Sequence, residues 1–336
     1  MTNFFKLLFF NSMIIGSMLA ISSYSWFSMW LGLEINLLSI IPLFNSHKNY
    51  FPSESALKYF ITQSMASSII LFSILNFINK MEISYFNDFL NQMMFNSAIL
   101  MKLGAAPFHF WFPEIMEGLN WMNSLILLTW QKLAPLMIIS YNIEKSSFFM
   151  FIIICSSLIG GILGINQISL RKILTFSSIN HISWMLSSML ISNNFWMIYF
   201  LIYSIITTSI ILIFNKLGMF HIFQLFNFNE SDKMINFLFM LIFLSLGGLP
   251  PFLGFFSKWI VIYGLILIKI YVISFLMIVV TLITLFFYLR LMFNSLTMMN
   301  TEFFNFKKWP QNFNFLILII WNIAGLMMSP LIFNFL

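Results

Sequence analysis

Long apolar runs, separated by short polar or charged stretches, recur along the whole chain. The runs predict spans at 4–21, 25–43, 56–78, 87–112, 119–141, 148–165, 170–191, 195–215, 236–267, 272–291 and 313–333. A helix of roughly 20 residues crosses the hydrocarbon core of a bilayer. Helices are expected because an open sheet edge leaves backbone groups unsatisfied in lipid. The expected fold is therefore an all-α polytopic membrane protein of about eleven transmembrane helices. The connections are short, and nothing between the runs has the length or composition of a soluble domain.

Two of these spans carry their own interruptions. The fourth contains Lys102-Leu-Gly104-Ala-Ala-Pro107-Phe-His109, and the ninth contains Gly247-Gly248-Leu-Pro250-Pro251-Phe-Leu-Gly254 followed by Lys258. Proline removes a backbone donor and clashes with the preceding turn, while glycine tolerates the bend. Each interruption falls in the fourth helix of a set of five. An odd number of crossings starts a second copy of the set on the opposite face, so the pattern predicts two inverted five-helix repeats. Paired interrupted helices are the sequence mark of inverted-repeat transporters. The expected organisation is a single membrane domain, with repeats over 1–145 and 146–294 and a C-terminal loop and helix over 295–336. The competing reading is plain kinking, since Gly and Pro are common in membrane helices.

Composition agrees with the pattern. Of the 336 residues, 60% are hydrophobic and 8% charged, against about a quarter charged in soluble domains. The net charge of +6 reads as a topology signal. With the N-terminus inside and eleven crossings, Lys6, Lys48, Lys58, Arg171, Lys172, Lys216, Lys233, Arg290, Lys307 and Lys308 fall on the inner side. Lys80, Lys145 and Lys269 fall on the other, the asymmetry of the positive-inside rule. The C-terminus then lies outside. Nucleic acid is not an expected partner. The one cysteine, Cys155, rules out a disulfide or a cysteine-ligated cluster within the chain. Twenty-five Met and 44 Phe beside two Arg fit an AT-rich genome and the animal mitochondrial code, a coding hint toward a mitochondrion.

The remaining charges are the informative ones. Glu34, Lys102, Lys132 and Lys258 stand inside spans, where each costs about 2.5–3.5 kcal/mol on insertion scales. Burial disfavours a lysine's charged form and a nearby carboxylate favours it, so a lysine held between the two changes protonation when its partner moves. Glu34 and Lys102 as a switchable pair, continued by Lys132 and Lys258, would make a proton relay. His109 and His181 are candidate intermediates, because histidine titrates near neutral pH. Each has a structural alternative: Lys102 or Lys258 as partner for carbonyls freed at its own break, Lys132 satisfied locally, Glu34 in a static ion pair, the histidines as hydrogen-bonded core. Glu114 and Glu117 read as a solvated helix end. No phosphate loop, paired-histidine metal motif or nucleophile elbow is present.

The run Lys102-Leu-Gly-Ala-Ala-Pro-Phe-His-Phe-Trp-Phe-Pro-Glu114, with Trp130-Gln-Lys132-Leu-Ala-Pro, Ser245 to Trp259, Trp30-Leu-Gly-Leu-Glu34-Ile-Asn and Ser177-Ser-Ile-Asn-His181, resembles the subunit 2 family of mitochondrial NADH:ubiquinone oxidoreductase, respiratory complex I. The resemblance implies an antiporter-like proton-translocating subunit of the membrane arm, with Glu34, Lys102, Lys132 and Lys258 at the family's proton-path positions. It also implies the mitochondrial inner membrane, matrix on the inner side and intermembrane space on the other. Other membrane-arm subunits, inner-membrane lipids such as cardiolipin, and internal water would be the partners. NADH, FMN, iron–sulfur clusters and ubiquinone would be handled by other subunits, so this chain would hold no cofactor or metal. It would be enzymatic as a core subunit and would not catalyse the redox step alone. The alternatives are a stand-alone cation/proton antiporter and a structural membrane scaffold.

Overall fold

The structure is a computed structural model that describes residues 2–44, 50–78, 85–143, 146–226, 241–250 and 252–297. Pro251, the start of the ninth predicted span and all of the eleventh lie outside the described residues. The described residues are helical, with one isolated antiparallel bridge between Ser169 and His221. Seven helical stretches among them are long and apolar enough to cross a membrane. The chain divides into two compact units, Met1–Glu144 and Lys145–Leu336.

In the first unit α1 (Thr2–Ser22) and α2 (Trp26–Phe44) form a tight antiparallel pair. Their backbones touch at glycines. A Cβ on Gly32 would lie 2.5 Å from the Ala20 nitrogen, and one on Gly16 would lie 2.8 Å from the Asn36 nitrogen. Hydrophobic burial does not hold helices together in lipid, so close packing through small residues must. Replacing Gly32 with valine therefore pushes α1 off α2, at a cost of about 1–3 kcal/mol. A lower melting temperature of the purified assembly is the expected result; unchanged melting would refute the close contact.

Helices α3 (Phe51–Ile78) and α4 (Tyr85–Leu103) are neighbours, and short α5 (Trp111–Gly118) lies on α3. Lys58 of α3 ties them, its Nζ 3.0 Å from Glu114 and 3.1 Å from Glu54. Glu114 is thus ion-paired as well as solvated. The fifth predicted span is not one helix. It comprises α6 (Trp121–Leu128) and α7 (Trp130–Asn142), parted at Thr129. Pro135 lies inside α7 and has no N–H for the carbonyl of Gln131, four residues back. The chain breaks at Thr129, two residues before Gln131. Thr129 closes α6 by donating from its hydroxyl to the Leu125 carbonyl (2.7 Å), and Lys132 N–H to the Thr129 carbonyl (3.2 Å) starts α7.

The second unit contains α8 (Ser147–Ile165), α9 (Leu170–Met189), α10 (Asn193–Leu217), α11 (Ile222–Phe226), helical residues 241–247 (α12), α13 (Leu253–Leu267) and α14 (Tyr271–Thr297). Helix α9 is too polar to count among the seven apolar spans, yet nearly every residue in it is buried. Its hydroxyls are satisfied locally: Ser177, Ser178, Ser183, Ser187 and Ser188 each donate to the carbonyl three residues back, at 2.6–2.8 Å. A helix shielded by other helices on all sides has no need of an apolar lipid face.

Candidate functional site

The two glycine–proline interruptions share one backbone geometry. Helix α4 stops at Leu103, and Gly104 takes the left-handed conformation (φ 73°). Ala105 N–H then reaches the Leu100 carbonyl (3.1 Å) and Gly104 N–H the Met101 carbonyl (3.2 Å). In α12 Gly248 (φ 78°) does the same, with Leu249 N–H to Leu244 (3.3 Å) and Gly248 N–H to Ser245 (3.1 Å). Both are Schellman caps, which glycine favours because it carries no Cβ. Pro107, preceded by a cis peptide bond, and Pro250 lie in the turns that follow.

The carbonyls at each helix end find further, different partners. At the first break the Trp111 indole donates to the Met101 carbonyl (3.1 Å) and the Gln63 amide to that of Lys102 (3.4 Å). At the second, Lys258 reaches back from α13 and donates its Nζ to the carbonyls of Gly247 (2.7 Å) and Leu246 (3.4 Å). An ammonium at a helix C-terminus also opposes the negative end of the helix dipole. Lys258 is thus a structural partner of its own break. Gly247 is the last helical residue before the cap.

Each of the three mid-span lysines is buried, with Lys102 8%, Lys132 2% and Lys258 6% exposed, and each stands beside an interruption. Lys102 is in the last turn of α4. Lys132 follows the break at Thr129, its ammonium 5.6 Å from the centre of the Phe112 ring, near enough for a cation–π contact. Phe112 is also one of the side chains that close over Gly104, so Lys132 and the first break share it as a neighbour.

Glu34 sits on α2, with Oε2 buried and without a hydrogen-bond partner. It acts electrostatically on Lys102, but the two do not touch. The ion pairs within 4 Å among the described residues both belong to Lys58. Among the described residues Glu34 has no ion-pair partner within 4 Å. His109 is buried in the turn after Pro107, where its carbonyl accepts from Phe112 N–H (3.0 Å). His181 lies in α9 with Nδ1 2.8 Å from the Tyr199 hydroxyl and its ring 5.0 Å from that of Tyr203. Tyr199, Tyr203 and Tyr288 are all buried in this unit.

Sequence reasoning missed the tyrosines around His181 and an amide cluster beside Lys102. In the cluster, Asn36 Nδ2 donates to Gln131 Oε1 (3.1 Å), Gln131 Nε2 donates to Asn36 Oδ1 (2.9 Å), and the Tyr59 hydroxyl donates to Gln131 Oε1 (3.3 Å). Their one sequence signal is the presence of amides inside apolar runs.

Residues 23–284 match the family model described as "NADH:quinone oxidoreductase/Mrp antiporter, TM". The chain belongs to this family. It is 49% identical to NADH-ubiquinone oxidoreductase chain 2 of Anopheles gambiae over 337 residues, covering 97% of each chain. Among solved structures, a chain of respiratory complex I from Thermus thermophilus matches with a TM-score of 0.83 at 20% identity, over 97% of this chain and 80% of that one. A chain of the Mrp complex from Dietzia sp. matches with a TM-score of 0.72 at 15% identity, over 83% and 58%. The family's fold is a multi-pass helical membrane fold, and this chain has it.

Proposed function

We propose that this chain is an antiporter-like, proton-translocating subunit in the membrane arm of an NADH:ubiquinone oxidoreductase, in the mitochondrial inner membrane. The observation that carries the reading is the coincidence of three buried lysines with three helix interruptions, in a chain nearly half identical to a relative named as chain 2 of that enzyme. An interruption places backbone dipoles and room for water at mid-membrane, where a charge otherwise has neither. The matching caps at Gly104 and Gly248 support two inverted repeats, within eleven crossings that begin in the matrix and end in the intermembrane space. NADH, FMN, iron–sulfur clusters and ubiquinone belong to neighbouring subunits in this reading. Inner-membrane lipids, cardiolipin among them, surround the chain.

Protons move along Glu34, Lys102, Lys132 and Lys258, with His109 and His181 as intermediates. Glu34 and Lys102 are not in contact among the described residues, and a displacement of α2 relative to α4 that brings the two charges together or draws them apart would recover or release a proton. Lys258 enters the relay by leaving the Gly247 and Leu246 carbonyls. The groups titrate as a coupled set.

The test is NADH-driven proton pumping by vesicles holding the assembled complex with Lys132→Met, with assembly checked on the same preparation. A reduced proton yield per NADH with the complex intact is expected. Unchanged pumping would make Lys132 a structural ion and favour a scaffold role. The likeness to an Mrp chain supports a second reading, a stand-alone cation/proton antiporter; cation-driven proton exchange by the isolated chain in liposomes would establish it.

A further inference from the structure

A small cavity opens beside Lys102 in the first unit, lined by Asn36, Tyr59, Gln63, Lys102, Gln131 and Pro135 among others. The space open to a water-sized centre is about 20 Å³; one water needs ~10–15 Å³. Asn36, Tyr59 and Gln63 are each 4% exposed. The hydrogen bonds already made decide what the walls can still offer. Gln131 Oε1 accepts from both Asn36 and Tyr59 and is filled, while Gln131 Nε2 has used one N–H on Asn36 Oδ1. One N–H remains on each amide, with Gln63 Oε1, one lone pair on Asn36 Oδ1 and the lone pairs on the Tyr59 oxygen as acceptors. A water there can accept from the Lys102 ammonium and donate to Tyr59 or Asn36.

We propose that Gln131, clasped by Asn36 and Tyr59, is a positioning residue that holds one water against Lys102, and that this water carries the proton leaving that lysine. The proposal rests on the proton-relay reading above. Amides neither gain nor lose protons near neutral pH, so Asn36 and Gln131 can only orient the carrier. The step balances as an exchange: one N–H proton of Lys102 moves to the held water's oxygen as one O–H proton of that water passes to a second water outside this one-water cavity, which becomes hydronium and carries the charge away. Lys102 becomes neutral and the held water stays neutral. The interruption at Thr129 fits this role. It sets the direction of the first turn of α7 and hence where Gln131 points.

Tyr59→Phe tests the proposal without disturbing packing, because the ring contacts with Phe44 (5.4 Å) and Trp111 (5.9 Å) are kept and only the hydroxyl is lost. The assembled complex carrying Tyr59→Phe, Gln131→Leu or Lys102→Met would be compared with the parent for proton yield and for the pH profile of coupled turnover. Tyr59→Phe is expected to slow coupled turnover about two- to tenfold, the worth of one neutral hydrogen bond, and to shift the pH profile; Gln131→Leu should do more. Loss of pumping in Lys102→Met with unchanged rate and pH profile in Tyr59→Phe overturns the water clasp and leaves the relay standing. Normal pumping in Lys102→Met overturns both. If Gln131→Leu fails to assemble, Tyr59→Phe decides alone.

Discussion

Lys258→Met is expected to weaken the assembled protein and to abolish its share of pumping, whereas Lys258→Arg separates the two effects. The ammonium holds the carbonyls of Gly247 and Leu246 at 2.7 and 3.4 Å. Methionine fills a similar volume but leaves those carbonyls without a charged donor, which costs about 1.5–3 kcal/mol for a charged hydrogen bond. Lipid cannot replace the donor. The melting temperature of the complex and its retention of this subunit on native electrophoresis should both fall. Arginine retains charge and donors, and so should keep the break closed, but a guanidinium does not release its proton in a protein. A stable Lys258→Arg complex with reduced proton yield would put Lys258 on the relay. A stable one that pumps normally would confine it to the structural role seen in the geometry.

That ambiguity marks how far the sequence could be read. Membrane class and helical fold follow from apolar runs and few charges, because a bilayer imposes length and composition on whatever crosses it. Gly104 and Gly248 were visible as weak points because glycine and proline act on their own backbone. The break at Thr129 was not visible, since a Pro135 at the other end of a turn usually kinks a helix where it sits. The burial of α9 was masked by its serines, which satisfy themselves within the helix and leave no apolar stripe. The clasp on Gln131 joins residues 95 and 72 positions apart, and nothing local in either segment specifies the pairing.

Three glycines around the second break should respond to alanine in opposite directions, with Gly254→Ala the severe case. A Cβ on Gly254 would overlap the carbonyl oxygen of Ser245, in the helix end that the break must hold. Backbone cannot swing aside as a flexible side chain can, so α13 must separate from α12 and pull Lys258 away from its carbonyls. The cost should reach at least the upper end of the ~1–3 kcal/mol of overpacked cores, seen as failed incorporation or a large drop in melting temperature. At Gly248, alanine meets both a left-handed backbone (φ 78°) and the Lys258 side chain, whose Cδ would lie 2.8 Å away. A left-handed residue alone costs about 1–2 kcal/mol. Gly247 differs, being helical, with nothing nearer to its Cβ than Tyr288 at 3.6 Å. Alanine there meets ordinary van der Waals contact and gains part of the helix preference, less than the ~0.5–1 kcal/mol of a mid-helix position. Melting temperatures in the order Gly247→Ala, parent, Gly248→Ala, Gly254→Ala are therefore expected. A Gly254→Ala complex as stable as the parent would mean that α12 and α13 do not meet at this contact, and the grip of Lys258 on the break would lose its support.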